Sequence, residues 1–201
     1  INQVDDSLRR FVTFEPRAGV AMSMNLLLPA TRPDADAGFM VLQADRAHPM
    51  SGSNCMCVVT ALLESGRVKM VEPETIVRLD TPAGLIIARA QCANGRVQSV
   101  SLDNVPAFVE ELDRVIETPR WGRIKADIAF GGVYYALVDV AQIGIEIAPA
   151  NARALAEAGI ALKALLAEQV SVRHPELPGI NEIAYVMFRS VEPDAAVRTC
   201  T

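Results

Sequence analysis

The chain has 201 residues, of which 51% are hydrophobic, which is enough apolar material for one large domain or two small ones. Its formal net charge is −5 and it has no run of basic residues, which argues against nucleic acid or an anionic membrane as a partner. Neither a membrane-spanning apolar run nor a signal-peptide pattern is visible.

The cysteine pattern indicates neither a disulfide framework nor a metal site. The four cysteines lie at positions 55, 57, 92 and 200, without a CxxC pair or a cluster of histidines. We therefore expect reduced thiols in a cytoplasmic protein, and no bound metal. A glycine-rich phosphate loop is also missing from the sequence, which disfavours a nucleotide site.

The first half of the chain predicts strands around one helix. Alternating apolar residues and turn signals predict a short helix at residues 6–14 and strands at residues 21–28, 38–43, 73–80, 85–92 and 96–102. Asn94-Gly95 is the sequence of a tight hairpin turn between the last two strands.

The central helix is predicted at residues 54–65, about 18 Å long. Residues 55–63 carry no charge and a single hydroxyl, Thr60, so we expect this helix to be buried on every side. Gly66 is a natural stop, and the candidate N-caps are Ser51, Ser53 and Asn54.

The start of this helix offers two interpretations. Its free backbone N–H groups and the positive end of the helix dipole form a ready site for a carboxylate or phosphate, and Gly52 lets a ligand approach the backbone. The alternative is an ordinary core helix with a serine cap.

The second half predicts a second set of strands. Residues 108–116 stay open between helix and strand, and residues 118–122 suggest a boundary, so we predict domains at residues 1–118 and 119–201. Beyond it we predict an amphipathic helix at residues 149–170, strands at residues 124–130, 133–140, 183–188 and 196–200, and a turn at residues 192–194.

Four segments together resemble the proline racemase family, which includes 4-hydroxyproline epimerases and trans-3-hydroxy-L-proline dehydratases. They are residues 14–17 (Phe-Glu-Pro-Arg), 50–54 (Met-Ser-Gly-Ser-Asn, followed by the apolar helix and Glu-Ser-Gly), 104–109 and 127–135. The chain departs from the commoner family pattern at Ser51 (cysteine), at Ser53 (histidine) and at Ala18, which precedes Gly19 of the Glu-Pro-Arg-Gly segment.

The resemblance implies a diaminopimelate-epimerase-like α+β fold. Such a fold has two similar domains, each a curved sheet wrapped on a central helix, with the site in the cleft between them. Members of the family are longer and carry a second active-site segment that this sequence lacks. We therefore expect an internal portion of an enzyme whose second domain is incomplete here.

The resemblance also implies cofactor-independent chemistry at Cα of proline-like amino acids. It assigns catalysis to Ser51 and substrate binding to Gly52 and Ser53. Because a hydroxyl is a poorer base than a thiolate, we expect dehydration of trans-3-hydroxy-L-proline to a cyclic imine, with 4-hydroxyproline epimerisation or proline racemisation as the alternative. A non-catalytic amino-acid-binding relative or an inactive fragment is a further alternative. The oligomeric state stays open, a homodimer included.

Other candidate residues have ordinary interpretations. We expect His48 in a solvated loop, Cys55 and Cys57 in the core, Glu15 and Arg17 in a loop, and Glu110, Glu111 and Asp113 on a solvated face.

Overall fold

The computed structural model describes residues 2, 4–19, 21–191 and 197–201, with Val191 described by its backbone alone, and divides into two units, Ile1–Val105 and Pro106–Thr201. Each unit combines one sheet with a helix that packs on it, which confirms the α+β class. The predicted turn at residues 192–194 lies outside the described residues.

The first unit is built on a sheet with the strand order β1-β2-β4-β5-β6, in which β3 pairs with β2. Its elements are α1 (Ser7–Thr13), β1 (Met24–Leu28), β2 (Ala37–Leu42), β3 (Ala47–His48), α2 (Gly52–Glu64), β4 (Glu74–Thr81), β5 (Gly84–Ala93) and β6 (Arg96–Asp103). Only β2 and β4 pair in parallel among these strands of the described chain.

The hairpin between β5 and β6 forms as the sequence predicts. Asn94 and Gly95 have φ values of 54° and 70°, the left-handed values that a two-residue hairpin turn of this kind requires. The turn fixes the register, with Ala93 opposite Arg96.

The second unit has the strand order β11-β10-β9-β8-β7. Its elements are β7 (Phe108–Thr118), β8 (Gly122–Phe130), β9 (Tyr134–Asp139), α3 (Ala152–Gln169), β10 (Ile183–Val191) and β11 (Val197–Cys200). β9 and β10 are parallel and α3 lies between them in the chain, just as α2 lies between the parallel strands β2 and β4. The two units therefore share one plan, in which a helix connects two parallel neighbours of an otherwise antiparallel sheet.

The division between the units falls earlier than the predicted boundary at residue 118. Residues 108–116, which the sequence left open, belong to the long strand β7. That strand pairs with β8 through a hairpin in which Thr118 lies opposite Gly122. Because this pairing holds residues 108–118 to β8, they belong to the second unit.

Helix α2 begins and ends slightly earlier than predicted, and it is not buried on every side. The buried positions follow the stripe i, i+3, i+4, i+7, i+8 and are Cys55, Val58, Val59, Leu62 and Leu63. This stripe packs on β5 and β6. Met56 is 41% exposed and Cys57 is exposed, so the expectations of all-round burial and of a core Cys57 are wrong for this structure.

Candidate functional site

The N-terminus of α2 presents backbone donors without a competing negative charge. Ser51 is the N-cap residue in an extended conformation, with φ −155° and ψ 121°. The first hydrogen bond of the helix runs from the Cys55 N–H to the Ser51 carbonyl, at 3.0 Å. The N–H groups of Gly52, Ser53 and Asn54 precede it and have no partner within the helix. The first turn has no acidic residue, so these donors and the helix dipole can act on an anion.

The Ser51 hydroxyl takes part in a chain of side-chain hydrogen bonds. Asn54 Nδ2 donates to Ser51 Oγ at 2.8 Å, and Ser23 Oγ donates to Asn54 Oδ1 at 3.0 Å. Ser53 Oγ lies 3.4 Å from Ser51 Oγ. In the described part of the chain Ser51 makes no side-chain capping bond, so its hydroxyl does not cap the N-terminus of the helix.

Gly52 is not required by the packing of the first unit. A Cβ placed there meets Leu102 Cδ1 at 3.9 Å, which is ordinary van der Waals contact. The residue stands at the start of α2 with a backbone that any residue can adopt. The absence of a side chain therefore leaves open space in front of the helix, where a ligand can reach the backbone N–H groups.

The thiol of Cys55, in the first turn of α2, is not available as a base near neutral pH. Cys55 is fully buried, and burial raises the pKa of its thiol to about 11. This agrees with the core position predicted for Cys55. Cys57 lies farther along the helix and on its exposed face, and neither thiol takes part in the described side-chain hydrogen bonds of Ser51.

His48 is not the solvated loop residue that the sequence suggested. It lies on β3, which pairs with β2, and it is 3% exposed. Its Nε2 atom lies 3.1 Å from Asp45 Oδ1. The pairing of β3 with β2 is a tertiary contact, which the local sequence does not show.

Residues of the Phe-Glu-Pro-Arg segment are exposed. Arg17 places its guanidinium 3.9 Å from the centroid of the Phe11 ring, and Glu15 is exposed. This agrees with the ordinary loop interpretation of both residues.

The second unit holds a buried tyrosine hydroxyl and a set of exposed ion pairs. Tyr134 is fully buried and donates to Glu110 Oε2 at 3.1 Å; burial, with the neighbouring Glu110, raises the pKa of Tyr134 to about 12. Glu111 pairs with Arg114 at 3.4 Å and Asp113 with Lys125 at 3.3 Å, on solvated side chains as expected.

The described residues show neither a candidate metal site nor a membrane-spanning helix. They contain no group of three or more potential metal-ligating His, Cys, Asp or Glu side chains. Within the same described part, no helix has the length and apolar character needed to cross a membrane.

The structure places Ser51, Gly52 and Ser53 together at the start of α2, and it shows contacts of two further residues that the sequence does not predict. Asn54 was considered only as a cap, whereas its amide contacts Ser51 Oγ. Ser23 lies in a segment whose alternating methionines predicted only a strand, and no local signal connects it with residue 54. Only the tertiary pairing brings them together.

Comparisons with known proteins agree on one family. A family model described as proline racemase matches residues 1–201. The chain is 58% identical over 196 residues to 4-hydroxyproline 2-epimerase 1 of Rhizobium rhizogenes, a match that covers 98% of this chain and 57% of that protein. It is also 58% identical to the 4-hydroxyproline 2-epimerase of Rhizobium etli, with the same coverage.

Two solved structures share the fold. A probable proline racemase from Agrobacterium radiobacter with bound carbonate matches with a TM-score of 0.92 and 58% identity, over 96% of this chain and 57% of that one. A hydroxyproline epimerase from Agrobacterium vitis with bound trans-4-hydroxy-L-proline matches with a TM-score of 0.91 and 56% identity, with the same coverage. The chain thus spans 57% of the length of these relatives.

Proposed function

Because the chain belongs to the proline racemase family, we propose that it carries one half of the active site of a 4-hydroxyproline 2-epimerase. The observation that carries the proposal is 58% identity over 98% of the chain to a protein of that name. A second relative, at 56% identity, binds trans-4-hydroxy-L-proline in its solved structure. This similarity favours epimerisation over the dehydration that Ser51 alone suggested.

The start of α2 supplies electrostatic stabilisation in this proposal. Removing the Cα proton of an amino acid sends negative charge into its carboxylate. The first turn of α2 has no acidic side chain. The carboxylate can therefore approach the N–H groups of Gly52, Ser53 and Asn54 and the positive end of the helix dipole. They bind the carboxylate in the ground state and stabilise the larger charge of the deprotonated intermediate.

Ser51 supplies one of the two proton-transfer groups. Inversion at Cα needs one group that removes a proton from one face and another that delivers a proton to the opposite face. Ser51 Oγ stands directly before the helix donors, so a carboxylate held there brings Cα towards it. The chain spans 57% of its relatives' length, and we assign the group on the opposite face to the part that it does not cover.

Dehydration of trans-3-hydroxy-L-proline is the second candidate, and the serine itself favours it. A hydroxyl that accepts a hydrogen bond from Asn54 is a better acid than base, and loss of a β-hydroxyl needs an acid. That reaction requires one strong base at Cα and no equivalent group on the other face.

Proton NMR in D₂O distinguishes these reactions. The enzyme in its natural full length is incubated separately with L-proline, trans-4-hydroxy-L-proline and trans-3-hydroxy-L-proline. Deuterium at Cα of the 4-hydroxy substrate, with a second epimer growing in, is the expected result. Loss of the 3-hydroxy substrate to a cyclic imine without epimerisation would establish the dehydratase. Exchange in none of the three would refute both reactions and favour a protein that binds amino acids without turnover.

A further inference from the structure

We propose that Asn54 is a positioning residue that holds Ser51 as a proton donor, and that Ser23 fixes the orientation of the Asn54 amide. The proposal rests on the proposed function, because it concerns how Ser51 handles the Cα proton. The role concerns the side-chain amide of Asn54, not its backbone N–H, and neither this amide nor Ser23 needs to touch the substrate.

The hydrogen bonds define the direction in which the Ser51 hydroxyl can act. The Asn54 amide nitrogen lies 2.8 Å from Ser51 Oγ and can only donate, so it occupies a lone pair of that oxygen. The hydrogen of Ser51 is then left for another acceptor. Ser53 Oγ, at 3.4 Å, makes a long and weak contact with Ser51 Oγ, in which either hydroxyl can donate and which a closer reacting atom can replace.

Ser23 contacts the end of the amide that faces away from Ser51. Its hydroxyl lies 3.0 Å from Asn54 Oδ1 and donates to it, while the Nδ2 end faces Ser51. Ser23 precedes β1, far from α2 in sequence, so the sheet and not the helix sets this contact. Asn54 is three residues after Ser51, a spacing that places both side chains on one side of the first turn.

The proton balance shows what the amide contributes. As a proton is delivered to Cα, the Ser51 O–H bond breaks, a C–H bond forms, and the electron pair of the O–H bond stays on Oγ. The donor from Asn54 stabilises that alkoxide, as hydrogen bonds to charged groups are stronger than neutral ones. The alkoxide then takes a proton from Cα in the reverse reaction or from water.

The first test compares single and double variants of the natural full-length enzyme. The measured quantity is the rate of epimerisation of trans-4-hydroxy-L-proline. Asn54→Leu removes the donor at similar size, and we expect kcat to fall about 10- to 100-fold, while KM changes less than about threefold because the helix donors remain. Ser23→Ala should lower kcat about 2- to 10-fold, and Ser23→Thr, which keeps the hydroxyl, should restore it. In the Asn54→Leu background, Ser23→Ala should have no further effect.

Several results would overturn the proposed roles of Asn54 and Ser23. One is a kcat of Asn54→Leu within about twofold of the parent, and another is that the two substitutions lower kcat independently of each other. A raised KM at unchanged kcat in Asn54→Leu would make Asn54 a binding residue instead. Ser65→Ala is the matched control, since Ser65 lies at the other end of α2 and its hydroxyl donates to the Leu62 carbonyl. It should leave kcat unchanged.

Asn54→Asp tests the direction of the hydrogen bond. An ionised carboxylate of the same shape can only accept, so it would take the hydrogen of Ser51 and leave none for the substrate. We expect a loss of kcat at least as large as that of Asn54→Leu. Retained kcat would show that an acceptor faces Ser51 and would refute the donor role. If the proposed epimerase function is wrong, the parent enzyme itself exchanges no Cα proton. This result is distinct from a failure of the Asn54 proposal, in which the parent is active and the variants do not behave as expected.

Discussion

Replacement of Ser51 gives the most direct test of the chemistry assigned to it. Ser51→Ala removes the proton-transfer group on one face of Cα, a contribution of about 10²- to 10⁴-fold to the rate. The fold should barely change, since Ser51 makes no side-chain capping bond within the described chain and the usual cap loss of about 1 kcal/mol does not apply.

The stability effect follows from the stronger of the two hydrogen bonds that Ser51 loses. Ser51 Oγ accepts one hydrogen bond from Asn54, and its side chain is only half-buried, so water can replace the contact. The free energy of unfolding should fall by about 0.5 kcal/mol, the lower end of the range for one hydrogen bond. For a chain of this size that is a fall in Tm of about 1 to 2 °C.

The assay is the loss of the Cα–H signal of trans-4-hydroxy-L-proline in D₂O, with thermal unfolding measured on the same samples. Ser51→Cys is the matched variant, because a thiol at a helix N-terminus has a lowered pKa and can exchange protons near neutral pH. We expect Ser51→Ala to lose at least about 100-fold in rate and Ser51→Cys to retain epimerisation. A Ser51→Ala enzyme that keeps more than about a tenth of the parent rate would refute the assignment.

The remaining predictions concern the glycines and the buried thiol. Gly52→Ala should raise the free energy of unfolding by up to about 1 kcal/mol in urea titrations and raise KM for the amino acid; an unchanged KM would contradict binding at this helix start. Gly38→Ala should cost about 1 to 3 kcal/mol of unfolding free energy, because its Cβ would lie 2.9 Å from the Pro29 carbonyl oxygen. Gly131→Ala, where a Cβ meets no atom of the described chain within 4 Å, should be neutral. Burial raises the pKa of the Cys55 thiol from about 9 to about 11 in the folded chain. The thiol is therefore neutral in the folded and the unfolded chain below pH 9, and between pH 9 and 11 it ionises only in the unfolded chain. Unfolding free energy should therefore fall by about 2 kcal/mol more in the parent than in Cys55→Ala as the pH rises through this window; equal slopes would contradict the burial effect.

Local chemistry made most of the fold predictable from the sequence. Asn94-Gly95 needs no tertiary context to favour a hairpin, and the alternation along β5 and the turn that follows it agree with one another. The long strand β7 was left open because its residues have no clear alternation: only Ile116 and Thr118 of it are buried. Pairing with β8, which the sequence does not show, decides its structure.

The site was predicted in part. The small polar residues before an apolar block indicated a helix start, and α2 begins at Gly52. The same block led to the wrong expectation for burial, because an apolar composition shows what a helix can bury and not which face meets the sheet. The contact of Ser23 with Asn54 joins segments 31 residues apart, which no local pattern could indicate.

The parallel pairing of β2 with β4 has a consequence for the order of folding. The described ladder between these strands is short, joining Ala37 to Leu79 and Gly38 to Asp80, and the crossover that connects them contains Ser51 and all of α2. Parallel neighbours meet only after a long loop has closed, a step that is entropically costly and slow. We therefore expect the hydrogen-bond chain around Ser51 to complete late in folding, after the β5–β6 hairpin. Amides at the start of α2 should accordingly exchange with solvent at a lower opening free energy than those of the hairpin.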